Sequence, residues 1–358
     1  EDGIRDALVG LVGSEMCIRD RYRALGGWRA LECALSLSGQ QIIDQVRQSG
    51  LRGRGGAAFP AGIKWQTVLD ADGPQKYIVN NADEGDSGSF ADRLLMECDP
   101  YQVIESMIIA GFAVGADQGF IYLRSEYPLA HDILQQAIDR AHQAGFLGDA
   151  VAGGERAFHL ELRLGAEAYI CGEETSLLES LEGKRGMVRF KPPLPAIEGL
   201  FGRPTLVSNV LTLAAATTVL AEGADYYRDF GSGQSRGTLA LQLAGNKRRG
   251  GLVELAFGAT LRDLLDRFGG GSYSGRPLRA IQAGGPLGAY LPESQWDLPL
   301  DYDAFAGAGA MLGHGGLVVF DDTVDMAAQA RYALEFCALE SCGKCTPCRI
   351  GPVRGMEV

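Results

Sequence analysis

No apolar run in this sequence is long enough to cross a membrane. Its longest candidates, residues 107–116 and 210–221, fall short of the roughly 18 residues that a spanning helix needs, and both read as core helices. Positive charge is in deficit: 33 Lys and Arg stand against 45 Asp and Glu, a net charge of −12. That balance repels nucleic acid and anionic membrane surfaces, and excludes them as partners. Histidine is scarce. The four present, His131, His142, His159 and His314, are scattered, make no ligand pair and read as surface or satisfied core residues. A basic leader is missing from the start of the chain, so no secretion signal is expected. What remains, 358 residues of which 46% are apolar and 22% charged, describes a soluble cytoplasmic protein of two or three domains.

Glycine, by contrast, is abundant, with 50 residues. Five of them (Gly50, Gly53, Gly55, Gly56, Gly62) fall in the thirteen residues 50–62, with Arg52, Arg54 and Lys64 among or beside them. Glycine lets consecutive N–H groups point into one concavity, and such a nest binds phosphate when Arg or Lys supplies the countercharge. A mobile solvated loop is the plainer reading. However, Phe59, Ile63 and Trp65 would be costly to expose, which favours a buried, ligand-holding loop. Gly53-x-Gly55-x-x-Ala58 imitates the Rossmann fingerprint but follows a helix, in which Ile42, Ile43 and Val46 share a face and Gly50 is the stop. The P-loop pattern fails too, because Ile63 separates Gly62 from Lys64.

The order of the remaining elements predicts an α/β fold with a mainly parallel, doubly wound sheet. Residues 77–80, 120–123 and 158–164 read as strands. Helices are expected near 101–114 and around Leu129, Ile133, Leu134, Ala137, Ile138 and Ala141, taken as core positions. Asn81, Asp83, Glu84 and Asp86 follow the first strand, where open α/β sheets bind ligands, and could accept hydrogen bonds from ribose hydroxyls; an Asx-capped turn is the alternative. Ser176 and Glu179 form a capping-box pattern at a helix start, with Glu173 and Glu174 in its approach. Ser208 or Asn209 is expected to cap a helix over 211–220, a second anion site. From residue 236, strands around one short helix over 260–268 suggest a small β-grasp-like unit. A helix over 324–336 leads to cysteines.

Four of the eight cysteines lie between Cys337 and Cys348, which is no disulfide framework and points to a metal in a reducing compartment. Cys342, Cys345 and Cys348 have the C-x2-C-x2-C spacing that wraps one corner of a 4Fe–4S cluster. Zinc would want a second pair that neither Cys nor His offers. Cys337 is expected to be a small buried hydrophobe on its helix. The fourth cluster ligand is then missing, and the chain reads as a fragment or truncated gene.

Taken together, SGLRGRGGAAFPAGIKW, NNADEGDSGSFADR, AYICGEETSLLESLEGKRG, KPPLPAIEGLFGRPTLVSNVLTLA and ESCGKCTPCRIG resemble the family of flavin (FMN/NADH-binding) subunits of NADH dehydrogenases, the complex I 51 kDa type. GDSGSFADR, LAGNKRRGGLVE and AMLGHGGLVVFDDTVDMA look more like the diaphorase subunit of NAD-dependent formate dehydrogenase. Residues 1–21 match nothing in that family and are taken as a translated sequencing adaptor. The resemblance implies a Rossmann-like FMN-binding domain (22–235), a β-grasp-like domain (236–322) and the start of a helical 4Fe–4S domain (323–358).

It further implies that Gly53, Arg54, Gly55, Gly56, Ala57, Gly62 and Lys64 cradle FMN and NAD(H), with Phe59 on adenine. Asn81, Asp83, Glu84, Tyr169, Gly172, Glu173, Glu174, Val207, Ser208, Asn209 and Thr212 would surround FMN, while Asp86 and Glu174 contact NAD(H). No side chain is expected to act as an acid or base, since hydride passes between NAD(H) and FMN and single electrons to or from the cluster. Implied partners are a 2Fe–2S thioredoxin-like subunit and an Fe–S/molybdenum subunit. The family usually has phenylalanine where Thr67 and Leu194 stand, glutamate for Asp86 and asparagine for Ser208, so a thinner adenine platform is expected. Complex I and NAD-reducing hydrogenase flavin subunits are the alternative assemblies. A non-catalytic zinc- or nucleotide-binding module is the alternative class.

Overall fold

The computed structural model describes residues 22–358; the expectation for residues 1–21 lies outside them. The chain runs through α1 (Arg29–Leu35), α2 (Gly39–Gln48), α3 (Ala61–Asp70), β1 (Tyr77–Ala82), α4 (Ala91–Cys98), α5 (Pro100–Val114), β2 (Gln118–Leu123), α6 (Pro128–Gln143), β3 (His159–Leu164), α7 (Glu174–Leu181), β4 (Thr205–Asn209) and α8 (Val210–Glu222). A second unit contributes β5 (Thr238–Gly245), β6 (Gly251–Ala256), β7 (Leu278–Ala283), β8 (Ala289–Pro292) and β9 (Gly316–Asp321), then α9 (Met326–Glu340) and α10 (Thr346–Glu357).

The first sheet is parallel throughout, in the order β3-β2-β1-β4. Hydrophobic all round, α5 has nearly every residue buried and forms the centre of the main core. In α6, Leu134, Ala137, Ile138 and Ala141 are buried as expected, but Ile133 is only half-buried and Leu129 is exposed, so neither is a core position. The second sheet is mixed, in the order β8-β7-β9-β5-β6, with only β9–β5 parallel. A separate core of Leu241, Leu264, Ile281, Phe305 and Leu317 lies beneath it.

Two local expectations are corrected. Helix α7 is capped by Glu173, whose carboxylate accepts from Thr175 N and Ser176 N, so Ser176 lies inside the helix rather than at its cap. A carboxylate at this position satisfies two helix N–H groups and complements the helix dipole, which a serine already within the first turn could not do. Cys337 is only half-buried, on a helix with no buried residue, so it is not a core hydrophobe. Among the described residues, no helix is long and apolar enough to cross a membrane.

Candidate flavin and dinucleotide cleft

The glycine loop is held rather than mobile. Arg52 pairs with Pro60 across it, Gly53 N donates to Phe59 O at 2.8 Å, and Ala61 N to Leu51 O at 2.9 Å. At its tip Gly56, with φ of 116°, pairs with Gly313 of the second unit. The left-handed backbone there is one that only glycine adopts without strain.

Beside the loop, at the carboxyl ends of β1 and β4, lies a two-lobed cleft. The larger lobe, about 450 Å³, is lined by Gly53, Gly55, Ala57, Phe59, Lys64, Asn81, Gly172, Glu173, Glu174, Val207, Ser208, Asn209 and Thr212. The smaller, about 310 Å³, adds Asp83, Glu84, Asp86 and Tyr169, and shares Gly55, Asn81, Gly172, Glu173 and Asn209 with the larger. Nearly every residue singled out from the sequence therefore faces one space. Thr67 and Leu194 line the larger lobe with Phe59, which is half exposed at its mouth.

Three residues are placed otherwise. The Arg54 guanidinium turns out of the cleft and donates to Thr238 O, Arg236 O, Arg52 O and Tyr227 Oη, with its plane over Phe257. It pins the two units together, and only its N–H, bonded to Thr212 Oγ1 at 2.7 Å, belongs to the loop's inner side. Gly62 is required for helix packing, since a Cβ there would lie 2.2 Å from Arg47 Cγ on α2. Gly56 serves the pairing with Gly313.

Charge is arranged around Glu174. Lys64 Nζ reaches Glu174 Oε2 at 2.8 Å and Val207 O at 2.8 Å, and Lys191 Nζ reaches Glu174 Oε1 at 2.7 Å and Glu173 Oε1 at 3.0 Å. Burial works against the charge on Glu174, but the two lysines outweigh it and hold the carboxyl below its ordinary range. In the smaller lobe, burial pushes Asp83 up to about 7 against the pull of Arg124. Burial also raises Asp86, although Tyr169 Oη donates to it at 2.8 Å. Asn209 Oδ1 accepts from Leu211 N and Thr212 N, so the anion site expected at the start of α8 already has those N–H groups taken.

His314 also lines the smaller lobe, a placement for which sequence spacing gave no sign. It comes from the second unit and is buried between Asp92 and Glu84 in the smaller lobe. Its place inside AMLGHGGLVVFDDTVDMA was the one available signal.

The cleft's residues fit a bound flavin nucleotide: a glycine-walled lobe with a lysine countercharge adjoins a polar lobe in which the buried Asp83 Oδ2 has no protein partner. The half-buried Cys342 and the exposed Cys345 and Cys348 are free thiols. Cys345 caps α10, and bonding from Cys348 lowers its thiol. Three free thiols at this spacing suit an iron–sulfur cluster. Tyr169 connects the two regions: its ring meets Phe336 of α9 edge-on at 4.9 Å, and its N–H donates to Glu340 at 3.1 Å. In cluster-loaded protein, Cys345→Ala is expected to lower the iron content at least tenfold, while Cys337→Ala leaves it unchanged. Iron assay after anaerobic reconstitution checks both.

An α/β sheet with a cofactor cleft at its strand ends and a cysteine-bearing helical segment against that cleft defines a flavin- and iron–sulfur-binding electron-transfer protein. Residues 46–218 match the Nuo51 FMN-binding domain, and residues 328–358 the NADH-ubiquinone oxidoreductase-F iron-sulfur binding region. The chain is 44% identical over 339 residues to the NADP-reducing hydrogenase subunit HndC of Solidesulfovibrio fructosivorans, covering 95% of this chain and 69% of that protein. It is 45% identical to an NADH-quinone oxidoreductase subunit of Rhizobium meliloti, covering 92% and 79%. A crystal structure of NAD+-reducing [NiFe]-hydrogenase in the H2-reduced state superposes with a TM-score of 0.82 at 37% identity, covering 89% of this chain and 53% of that one. The chain thus spans about half the length of the solved hydrogenase chain.

The chain belongs to the family of 51 kDa flavin subunits of NADH dehydrogenases. It is an oxidoreductase subunit whose cofactors are FMN, NAD(H) and a 4Fe–4S cluster.

Proposed function

We propose that this subunit serves an NAD-dependent formate dehydrogenase, exchanging electrons with an Fe–S/molybdenum subunit through a 2Fe–2S partner, in the cytoplasm. One observation carries the reading. Gly88, Ala244 and Val318 each come from one of the three formate-dehydrogenase-like stretches, and they meet at one point: a Cβ on Gly88 would lie 3.1 Å from Ala244 Cβ and 3.3 Å from Val318 Cγ2. The meeting of the three stretches that resemble that branch supports the reading.

When bound, FMN accepts or returns the hydride of NAD(H), and the cluster carries single electrons. The chain's own residues bind and orient. In this reading the loop N–H groups and Lys64 take phosphate, Phe59 covers adenine, Asp86 and Glu174 hold the dinucleotide, and Tyr169 closes the cleft against the cluster helix. Cys342, Cys345 and Cys348 supply three cluster ligands. Domain limits near 235 and 322 belong to the same reading, and the separation of the two cores supports the first of them.

The test is to isolate the chain with the subunits that copurify with it and identify them by mass. Formate-dependent NAD+ reduction is expected. Turnover with hydrogen or quinone and none with formate would replace the assembly but keep the flavin subunit, whereas zinc without flavin would remove both. Within the subunit, Glu174→Gln is expected to keep FMN and weaken NADH binding by about 1–2 kcal/mol, the scale of a lost charged hydrogen bond. An unchanged NADH affinity in stopped-flow flavin reduction would make Glu174 a structural residue.

A further inference from the structure

We propose that His314 is a positioning residue for the flavin cleft, its imidazole tying Asp92, beside Glu84, to the second unit so that the cleft is completed only when the two units dock. The inference rests on the assignment of Glu84 and Asn209 to the flavin lobe.

His314 Nε2 lies 3.1 Å from Asp92 Oδ1, and Nδ1 lies 3.6 Å from Glu84 Oε1. The other Asp92 oxygen accepts Asn209 Nδ2 at 2.7 Å, so the imidazole reaches the cleft wall through one carboxylate. Glu84 accepts Asp92 N at 3.1 Å, Arg93 N at 3.0 Å and Tyr127 Oη at 3.1 Å. Gln242 of β5 donates to His314 O at 3.1 Å and accepts Ala91 N at 2.8 Å and Phe90 N. The start of α4 is thus held by Glu84 and Asn209 from the first unit and by Gln242 and His314 from the second. The turn that carries His314 is itself paired to the glycine loop through Gly313 and Gly56.

The groups facing the imidazole are Asp92 on α4, Glu84 and Asp86 after β1, and the uncharged Asn209 and Gln242. Burial alone would strip its proton, but the Asp92, Glu84 and Asp86 carboxylates outweigh burial and lift it from 6.5 to about 9. Burial and Asp92 also raise Glu84. At neutral pH the imidazole is therefore held toward its charged form, chiefly by Asp92. A pKa raised on folding contributes stability that is complete below about 6.5 and lost as pH rises through about 9.

The experiment compares the full chain with His314→Gln, Asp92→Asn and Asn209→Ala, each with and without FMN. Without FMN, the melting-temperature advantage of the parent over His314→Gln is expected to be largest below about pH 6.5 and to shrink as pH rises through about 9. With FMN, His314→Gln is expected to bind about tenfold more weakly at neutral pH, roughly one charged hydrogen bond. An advantage that does not change with pH, or unchanged FMN affinity, overturns the proposal. If His314→Gln does not fold, Asp92→Asn decides: the alkaline loss of stability must move to lower pH, and no movement overturns the proposal. If Asn209→Ala also leaves FMN affinity unchanged, it is the cleft assignment that has failed. Stoichiometric Zn2+ binding that His314→Gln abolishes would show a three-ligand metal site and overturn the proposal as well.

Discussion

Gly55→Val is expected to abolish FMN binding in a chain that remains folded. A Cβ at Gly55 would lie 2.9 Å from Asn209 Cβ, and valine adds two methyls beyond it. Asn209 has nowhere to go. Its Oδ1 caps α8 through Leu211 N and Thr212 N, and its amide is bonded to Asp92 at 2.7 Å. Overpacking of this kind costs about 1–3 kcal/mol, which a fold with two cores absorbs, but the displaced volume falls at the junction of the two lobes, both of which Gly55 lines. Flavin fluorescence titration reads the binding, and circular dichroism shows that the fold persists. Full FMN occupancy in folded Gly55→Val would refute the loop assignment. Gly62→Val provides the contrast: its side chain would enter Arg47 between α2 and α3, so it is expected to cost stability first.

Lys64→Met is expected to weaken FMN binding by about a hundredfold, the effect of losing charged hydrogen bonds worth roughly 2–3 kcal/mol. Lys64 is the loop's cation inside the larger lobe, since Arg54 is committed to the contact with Tyr227 and Arg236, and Arg52 pairs with Asp303 at 3.0 Å. Methionine keeps the stem and removes the charge. Glu174 would then keep only Lys191, at 2.7 Å, and its carboxyl would rise toward its ordinary value. Equilibrium titration against FMN measures the loss. An affinity within threefold of the parent would mean that Lys64 only neutralises Glu174.

Much of the cleft was legible because local chemistry and position along the chain suffice for it. A glycine loop with a lysine, carboxylates after a strand and an asparagine before an apolar helix each have a function that depends on their own neighbours. Strand ends of a parallel sheet then bring them to one side. Errors arose where a side chain's partner is distant in sequence. Arg54 looked like a phosphate ligand, but its partner Thr238 is 184 residues away. Gly62 belongs to a helix contact, and Cys337 sits on a helix that buries nothing.

The sequence by itself determined the α/β class, the glycine loop and the three cysteines, because periodicity and spacing are properties of neighbouring residues. Only the tertiary structure decided that the second sheet completes the cleft. His314 has no ligand-like spacing and looked like a scattered core residue, yet folding sets it 3.1 Å from Asp92, a residue 222 positions earlier. A buried imidazole gains its charge and its role from the carboxylates packed around it, and sequence distance carries no record of that packing.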